Sequence, residues 1–128
     1  MVPTISFAVQ RIYQRSGTIR GHRVLVDRLW PRGIRRDEAA LSEWCKDVAP
    51  SDDLRRWYGH DPERFDAFAR RYRVELTRPP ASGEVARLRA LGEERRVILV
   101  TATRDVAHSG AAVLRDLLRS APEHDSAT

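Results

Sequence analysis

Residues 96–101 read Arg-Val-Ile-Leu-Val-Thr, four consecutive apolar residues rich in β-branching, and residues 24–26 read Val-Leu-Val. Runs this short and this uniformly apolar fit strands buried on both faces, as in a parallel sheet. A looser alternation over residues 6–13, with Phe7 and Val9 on one side and Ala8 and Ile12 on the other, predicts a first strand. Between the buried runs lie amphipathic stretches. Strands separated by helices predict an α/β fold, a three-layer domain whose small, mainly parallel sheet of about three strands is flanked by helices. At 128 residues the chain suits one domain, expected over residues 1–120, and can bury about two-thirds of its unfolded surface. Residues 121–128 are small and polar and are expected to form a disordered tail.

Helix punctuation fills in the remainder. Asp37 can cap a short helix running through Leu41 and Trp44, with Cys45 following in the same helix. Ser51, followed by Asp52 and Asp53, caps the next, which stops at Gly59. Asp61 at a cap and Pro62 at the first helical position open a longer one, whose stripe is Phe65, Phe68, Ala69, Tyr72 and Leu76 and which Pro79-Pro80 ends. Residues 82–91 form a further helix with Val85, Leu88 and Leu91 inward. After residue 101, Asp105 or Ser109 caps a last helix with Ala111, Leu114, Leu117 and Leu118 toward the core.

In open parallel sheets ligands bind beyond the carboxyl ends of the strands. Both buried runs exit into charged sequence there, and if they are neighbours the two exits share one rim. The first exit holds Asp27, Arg28, Trp30, Arg32 and Gly33. Asp27 and Arg28 would point to opposite sides of a strand, so only one could enter a given pocket. Pro31 and Gly33 bracket Arg32 and set the direction of the turn. The arginines suit an anion and Trp30 offers a ring for stacking; the structural alternative is an Asp–Arg pair locking a corner, with Trp30 as a core plug. The second exit holds Thr101, Thr103, Arg104, Asp105 and His108, just before a helix N-terminus whose free amides favour anions. Thr103 and Arg104 are candidate anion ligands, Asp105 is either a cap or a proton carrier, and His108 is a candidate general acid or base. A third group, Trp57, Tyr58 and His60, lies between two helices; Trp57 could stack on a ligand and His60 could reach the crevice from above, or the group could be a packed junction.

Composition narrows the function. The net charge is +5 and Lys46 is the only lysine, so the basic residues are almost all arginine, a bias that genome composition can also produce. Arginine's planar fork suits phosphates and carboxylates, so the partners expected are an anionic small molecule or a nucleic acid. Neither glycine-rich phosphate-loop pattern occurs, and the scattered histidines His22, His60, His108 and His124 show no metal-ligand spacing, so no cofactor or metal is indicated. One cysteine excludes an internal disulfide; Cys45 reads as a buried small hydrophobe, and a cytoplasmic location is the expectation. No apolar run approaches the ~20 residues of a membrane span.

The string Val26-Asp27-Arg28-Leu29-Trp30-Pro31-Arg32-Gly33, then Trp44-Cys45-Lys46-Asp47-Val48-Ala49-Pro50-Ser51, Leu54-Arg55, Trp57-Tyr58 and His60, resembles the YeaO-like bacterial proteins, the family called domain of unknown function 488. The resemblance continues through Phe68, Tyr72, Glu75-Leu76, Leu99 and Arg104-Asp105 to His108. It implies a small cytoplasmic α/β domain and supplies no established reaction. Two departures stand out: Thr101-Ala102-Thr103 replaces a Tyr-Ala-Ala pattern, so no role for that tyrosine carries over, and Ser109 follows the histidine where relatives often have Asn. Residues and resemblance together predict an anion-binding crevice for a phosphate- or nucleotide-like ligand, in an enzyme or a small-ligand protein, with Asp27, Asp105 or His108 moving protons if it is an enzyme. The alternatives are a nucleic-acid-binding module and a non-catalytic regulatory or partner-binding domain.

Overall fold

A computed structural model describes residues 6–14 and 20–120. The expected tail at 121–128, and part of the loop after the first strand, lie outside the described residues. Four parallel strands form one sheet in the order β1 (Phe7–Arg11), β4 (Val97–Thr101), β2 (His22–Leu25), β3 (Glu43–Trp44). All five residues of β4 are buried, as a central strand covered on both faces requires. It pairs from Phe7↔Val97 to Arg11↔Thr101 on one side and from His22↔Val97 to Leu25↔Val100 on the other. The two apolar runs are therefore adjacent, and their carboxyl ends open on the same rim.

The two faces of the sheet are covered differently. Val97, Leu99, Val24, Val26 and Phe7 pack against α1 (Asp52–Tyr58), α2 (Phe65–Glu75), α3 (Ala81–Gly92) and α4 (Gly110–Arg119). Each fully buried side chain there contributes roughly 1.5–3 kcal/mol. Ile98, Val100, Leu25 and Ile12 face the other way, onto Trp30, Ile34, Ala39, Leu41 and Trp44. The sheet is thus flanked by helices on one side and by the β2–β3 connection on the other. That connection contains Pro31, Gly33 and a left-handed Ala40 (φ 53°), which leave room for only one 3-10 turn at Arg36–Glu38. The helix expected from Asp37 through Trp44 does not form. Instead Glu43-Trp44 makes the short edge strand β3, held by Val24↔Glu43 and Leu25↔Trp44, and raises the strand count from three to four.

The other helices follow their sequence signals. The Ser51 hydroxyl accepts from the Leu54 amide, Gly59 (φ 54°) ends α1, and Asp61 accepts from the Glu63 amide ahead of α2. Ser51 also donates from its amide and hydroxyl to Glu75 (2.8 and 2.5 Å), tying the start of α1 to the end of α2. Phe68 stacks between Tyr58 (4.2 Å) and Tyr72 (5.7 Å), giving the helical layer an aromatic spine. The Tyr72 hydroxyl is fully buried and donates to the Val48 carbonyl. Of the two caps considered for α4, Ser109 is the one used: its hydroxyl accepts from the Ala112 amide at 3.1 Å. Gly92 lies directly against the Phe7 ring, where any side chain would collide.

Candidate functional site

A crevice of about 730 Å³ opens at the carboxyl ends of β2 and β4. Its floor is Asp27 and Ala102, one wall is the Leu29–Arg32 turn, and the opposite wall is the start of α4 at Ser109, Gly110 and Ala111. Tyr58 and His60 close it from the end of α1. Both strand exits therefore contribute to one space.

Because β2 ends at Leu25, Asp27 and Arg28 are released from strand alternation, and both line the crevice. The expectation that only one could enter it assumed a longer strand. The two carboxylate oxygens of Asp27 accept hydrogen bonds from the Thr101 hydroxyl and the Ala102 amide, each at 2.8 Å. Burial pushes this carboxyl above the ordinary aspartate range; the Ala102 amide, the Thr101 hydroxyl and the proximity of His60 act in the opposite direction. Thr101 in turn accepts from the Thr103 amide at 3.1 Å, so one small network fixes the ends of both strands.

Arg28 donates from Nε to the Pro50 carbonyl (3.1 Å) and from Nη2 to the Ala49 carbonyl (3.3 Å), with Asp52 at 3.9 Å. Its guanidinium fastens the approach to α1 to the wall of the crevice. Trp30 is held as well: its indole N–H donates to the Ile34 carbonyl at 2.7 Å, its ring meets Trp44 edge-on at 5.3 Å, and the Arg36 guanidinium lies over it at 4.6 Å. Trp44 donates to the Asp27 carbonyl at 2.7 Å. The turn is rigid because its aromatic residues brace it, and Tyr13 adds a hydrogen bond to the Arg32 carbonyl at 2.8 Å.

Two cations on the rim differ from these. Arg32 and Arg104 are exposed and line the crevice, and neither guanidinium has a hydrogen bond or ion pair among the described residues. Arg55, which also lines the space, is shared with Asp52 at 3.4 Å. His60 is exposed and held in the left-handed region (φ 58°), directly after the left-handed Gly59. A histidine pays about 1–2 kcal/mol for that conformation, which is the kind of local strain that accumulates at binding sites.

Thr103 and Asp105 line the crevice; His108 and Trp57 do not. His108 turns its Nδ1 to the Asp105 carboxylate (2.8 Å) and its ring to Phe65 (5.0 Å, edge-on). Its backbone carbonyl accepts from the Tyr58 hydroxyl at 2.6 Å. Trp57 lies on the other side of α1 between Arg64 (5.1 Å) and Arg71 (4.2 Å). Tyr13 also lines the crevice without any signal in the sequence, whereas the start of α4 is the helix N-terminus expected after the second exit. For α4 a signal existed, the Ser109 cap, while nothing local places Tyr13 beside a turn 19 residues away.

Cys45 is buried away from the crevice and donates to Glu84 at 3.4 Å; burial, with the Glu84 carboxylate, pushes the thiol up to about 11. The described residues contain no group of three or more His, Cys, Asp and Glu side chains able to hold a metal ion, and no helix among them is long and apolar enough to cross a membrane.

A four-stranded parallel sheet with helices packed against one face defines a small α/β domain. The chain belongs to the DUF488 family: the model for the "Inactive DUF488-N3 subclade" matches residues 6–128. It is 52% identical over 118 residues to an uncharacterised protein of Mycobacterium tuberculosis and to one of Mycobacterium bovis, covering 92% of this chain and 98% of each relative. It is 34% identical over 111 residues to the uncharacterised Escherichia coli protein YeaO, covering 87% of this chain and 95% of that one. No solved structure gives a significant match.

Proposed function

We propose that this protein binds a small anionic ligand, phosphate- or nucleotide-like, in the crevice and performs no chemistry on it. The observation that carries this reading is the pair of exposed guanidiniums, Arg32 and Arg104, without side-chain partners on the rim of a crevice in which Asp27, Arg28 and Tyr58 are already engaged. Arginine matches phosphate oxygens bidentately. The first amides of α4, at Gly110 and Ala111, line the same space and add the positive end of a helix.

The three groups expected to move protons, Asp27, Asp105 and His108, are held in structural contacts, and His60 is the unpaired imidazole of the crevice among the described residues. Both oxygens of Asp27 accept structural hydrogen bonds, and His108 pairs with Asp105 and packs on Phe65 outside the crevice. The description of the subclade as inactive supports the same conclusion.

A thermal-shift screen with inorganic phosphate, nucleotides and sugar phosphates tests the reading. A ligand at a hundred times its Kd stabilises a protein by about 2.7 kcal/mol, a shift of several degrees. Arg32→Ala and Arg104→Ala should each lose most of that shift. A ligand that stabilised both variants as well as the wild type would place its site elsewhere.

A further inference from the structure

We infer that the outer face of α2 is a second, separate anionic contact surface, which binds the phosphate backbone of duplex nucleic acid without reading its sequence. Residues 67–78 contain Arg70, Arg71, Arg73 and Arg78 and one acid, Glu75, so this short segment holds +3 of the chain's net +5. Helical geometry sorts these residues. Phe68, Tyr72 and Leu76 are buried, Glu75 turns inward to Ser51, and all four arginines are exposed. None of the four guanidiniums has a hydrogen bond or ion pair among the described residues; that of Arg71 lies over the Trp57 ring at 4.2 Å. Asp66, in the first turn of the helix, complements the positive helix end and stands at the far end of the face.

This differs from the other arginines outside the crevice, many of which are neutralised locally. Arg87 is bound by Glu43 and Glu84, Arg115 by Asp116, Arg64 by Asp61 and Arg35 by Asp37. Arg70, Arg71 and Arg73 on α2, with Arg78 in the turn just past its end, form a self-repelling cluster that a polyanion relieves.

The chemistry of the face favours nucleic acid over the other polyanions. A membrane-binding helix needs a broad apolar face beside its basic residues, and a protein interface needs aromatic or aliphatic anchors. The only large apolar side chain exposed here is Val74, at 50%. Single strands are held by stacking on open aromatic rings, and the nearest ring, Trp57, is already flanked by Arg64 and Arg71. What remains is contact with regularly spaced backbone phosphates, the sequence-independent mode. The inference is independent of the crevice, and its failure would leave the small-ligand reading untouched.

The test is fluorescence anisotropy of a labelled 20-base-pair duplex of arbitrary sequence, titrated with the full chain from 50 to 200 mM salt. Four phosphate contacts correspond to a log–log slope of about −3.6, or a loss of roughly a hundredfold across that range. Arg70→Glu/Arg73→Glu should weaken binding at least tenfold at 50 mM salt and flatten the slope by about half. A charge-matched control, Arg20→Glu/Arg95→Glu, changes exposed arginines outside α2 by the same total charge. Circular dichroism and melting confirm that both double variants fold. Equal losses in the two double variants would reduce the effect to net charge and overturn the proposal. So would absence of duplex binding at 50 mM salt, or binding only to phosphatidylserine vesicles.

Discussion

The Thr101 hydroxyl donates to the Asp27 carboxylate at 2.8 Å across 74 residues of sequence, joining the exits of the two central strands at the floor of the crevice. With the Ala102 amide on the other oxygen, Asp27 works as a strut between β2 and β4. Removing it altogether by Asp27→Ala leaves the Ala102 amide and the Thr101 hydroxyl without their partner. That should cost about 2–4 kcal/mol in urea unfolding, from two hydrogen bonds to a charged acceptor.

Asp27→Asn behaves differently, because it keeps the shape and can still accept from Ala102. Burial raises the folded-state carboxyl above its unfolded value, so the protonated form favours the fold. Wild-type stability from this group is therefore full below the unfolded value near ~3.9 and declines as pH rises through the folded one. Asp27→Asn should gain on wild type as pH rises above the unfolded aspartate value near ~3.9 and show no such gain well below it. Unfolding midpoints measured from pH 3 to 7 check this; a pH-independent difference would refute the electrostatic part of the account.

On the neighbouring edge strand β3 the sign reverses. Arg87 binds Glu43 through both terminal nitrogens (2.6 and 3.0 Å) and holds its carboxyl below the ordinary range, with His22 at 2.7 Å adding to the effect and burial opposing it. This contribution is present above the unfolded glutamate value near ~4.3 and is lost as pH falls through the lower folded one. Glu43→Gln should cost up to about 1 kcal/mol at pH 7, since the pair is partly open to solvent, and nothing once wild-type Glu43 is itself protonated. A penalty of the same size at pH 3 would mean that β3 is held by packing alone.

His60 offers a test that separates stability from binding. Asparagine adopts the left-handed region more readily than histidine, so His60→Asn should keep or raise the melting temperature, by up to about 1 kcal/mol. The same change should weaken any crevice ligand, because the exposed ring is lost. Loss of both stability and binding would argue that the ring is a packing element.

Much of this arrangement was legible before any coordinates. The two apolar runs announce adjacent buried strands because only a central parallel strand needs apolar residues on both faces. Ser51, Gly59, Asp61 and Pro62 bound their helices through local backbone chemistry that tertiary contacts had no cause to override. Around Trp44 the local signal points the wrong way, because Asp37-Glu38 looks like a helix start while the edge pairing of Glu43-Trp44 with β2 is a long-range event with only two residues of local signal. For the crevice, sequence identified the two exits but could not distinguish an engaged arginine from a free one. Arg28 and Arg32 are four residues apart in one motif, yet only Arg28 has the Ala49 and Pro50 carbonyls within reach. The position of Trp57 depends likewise on which side of α1 meets the aromatic spine, and that follows from packing with α2.

The central claim, that the crevice holds an anion between Arg32, Arg104 and the start of α4, is tested most directly by titrating isotopically labelled protein with the best phosphate-bearing compound from the thermal screen and following backbone amides by NMR. The expected result is saturable shifts at Arg32, Thr103, Arg104, Gly110 and Ala111 together with the His60 ring, abolished in Arg32→Ala/Arg104→Ala. Saturable shifts confined to other residues, α2 among them, with those five amides unmoved, would contradict it.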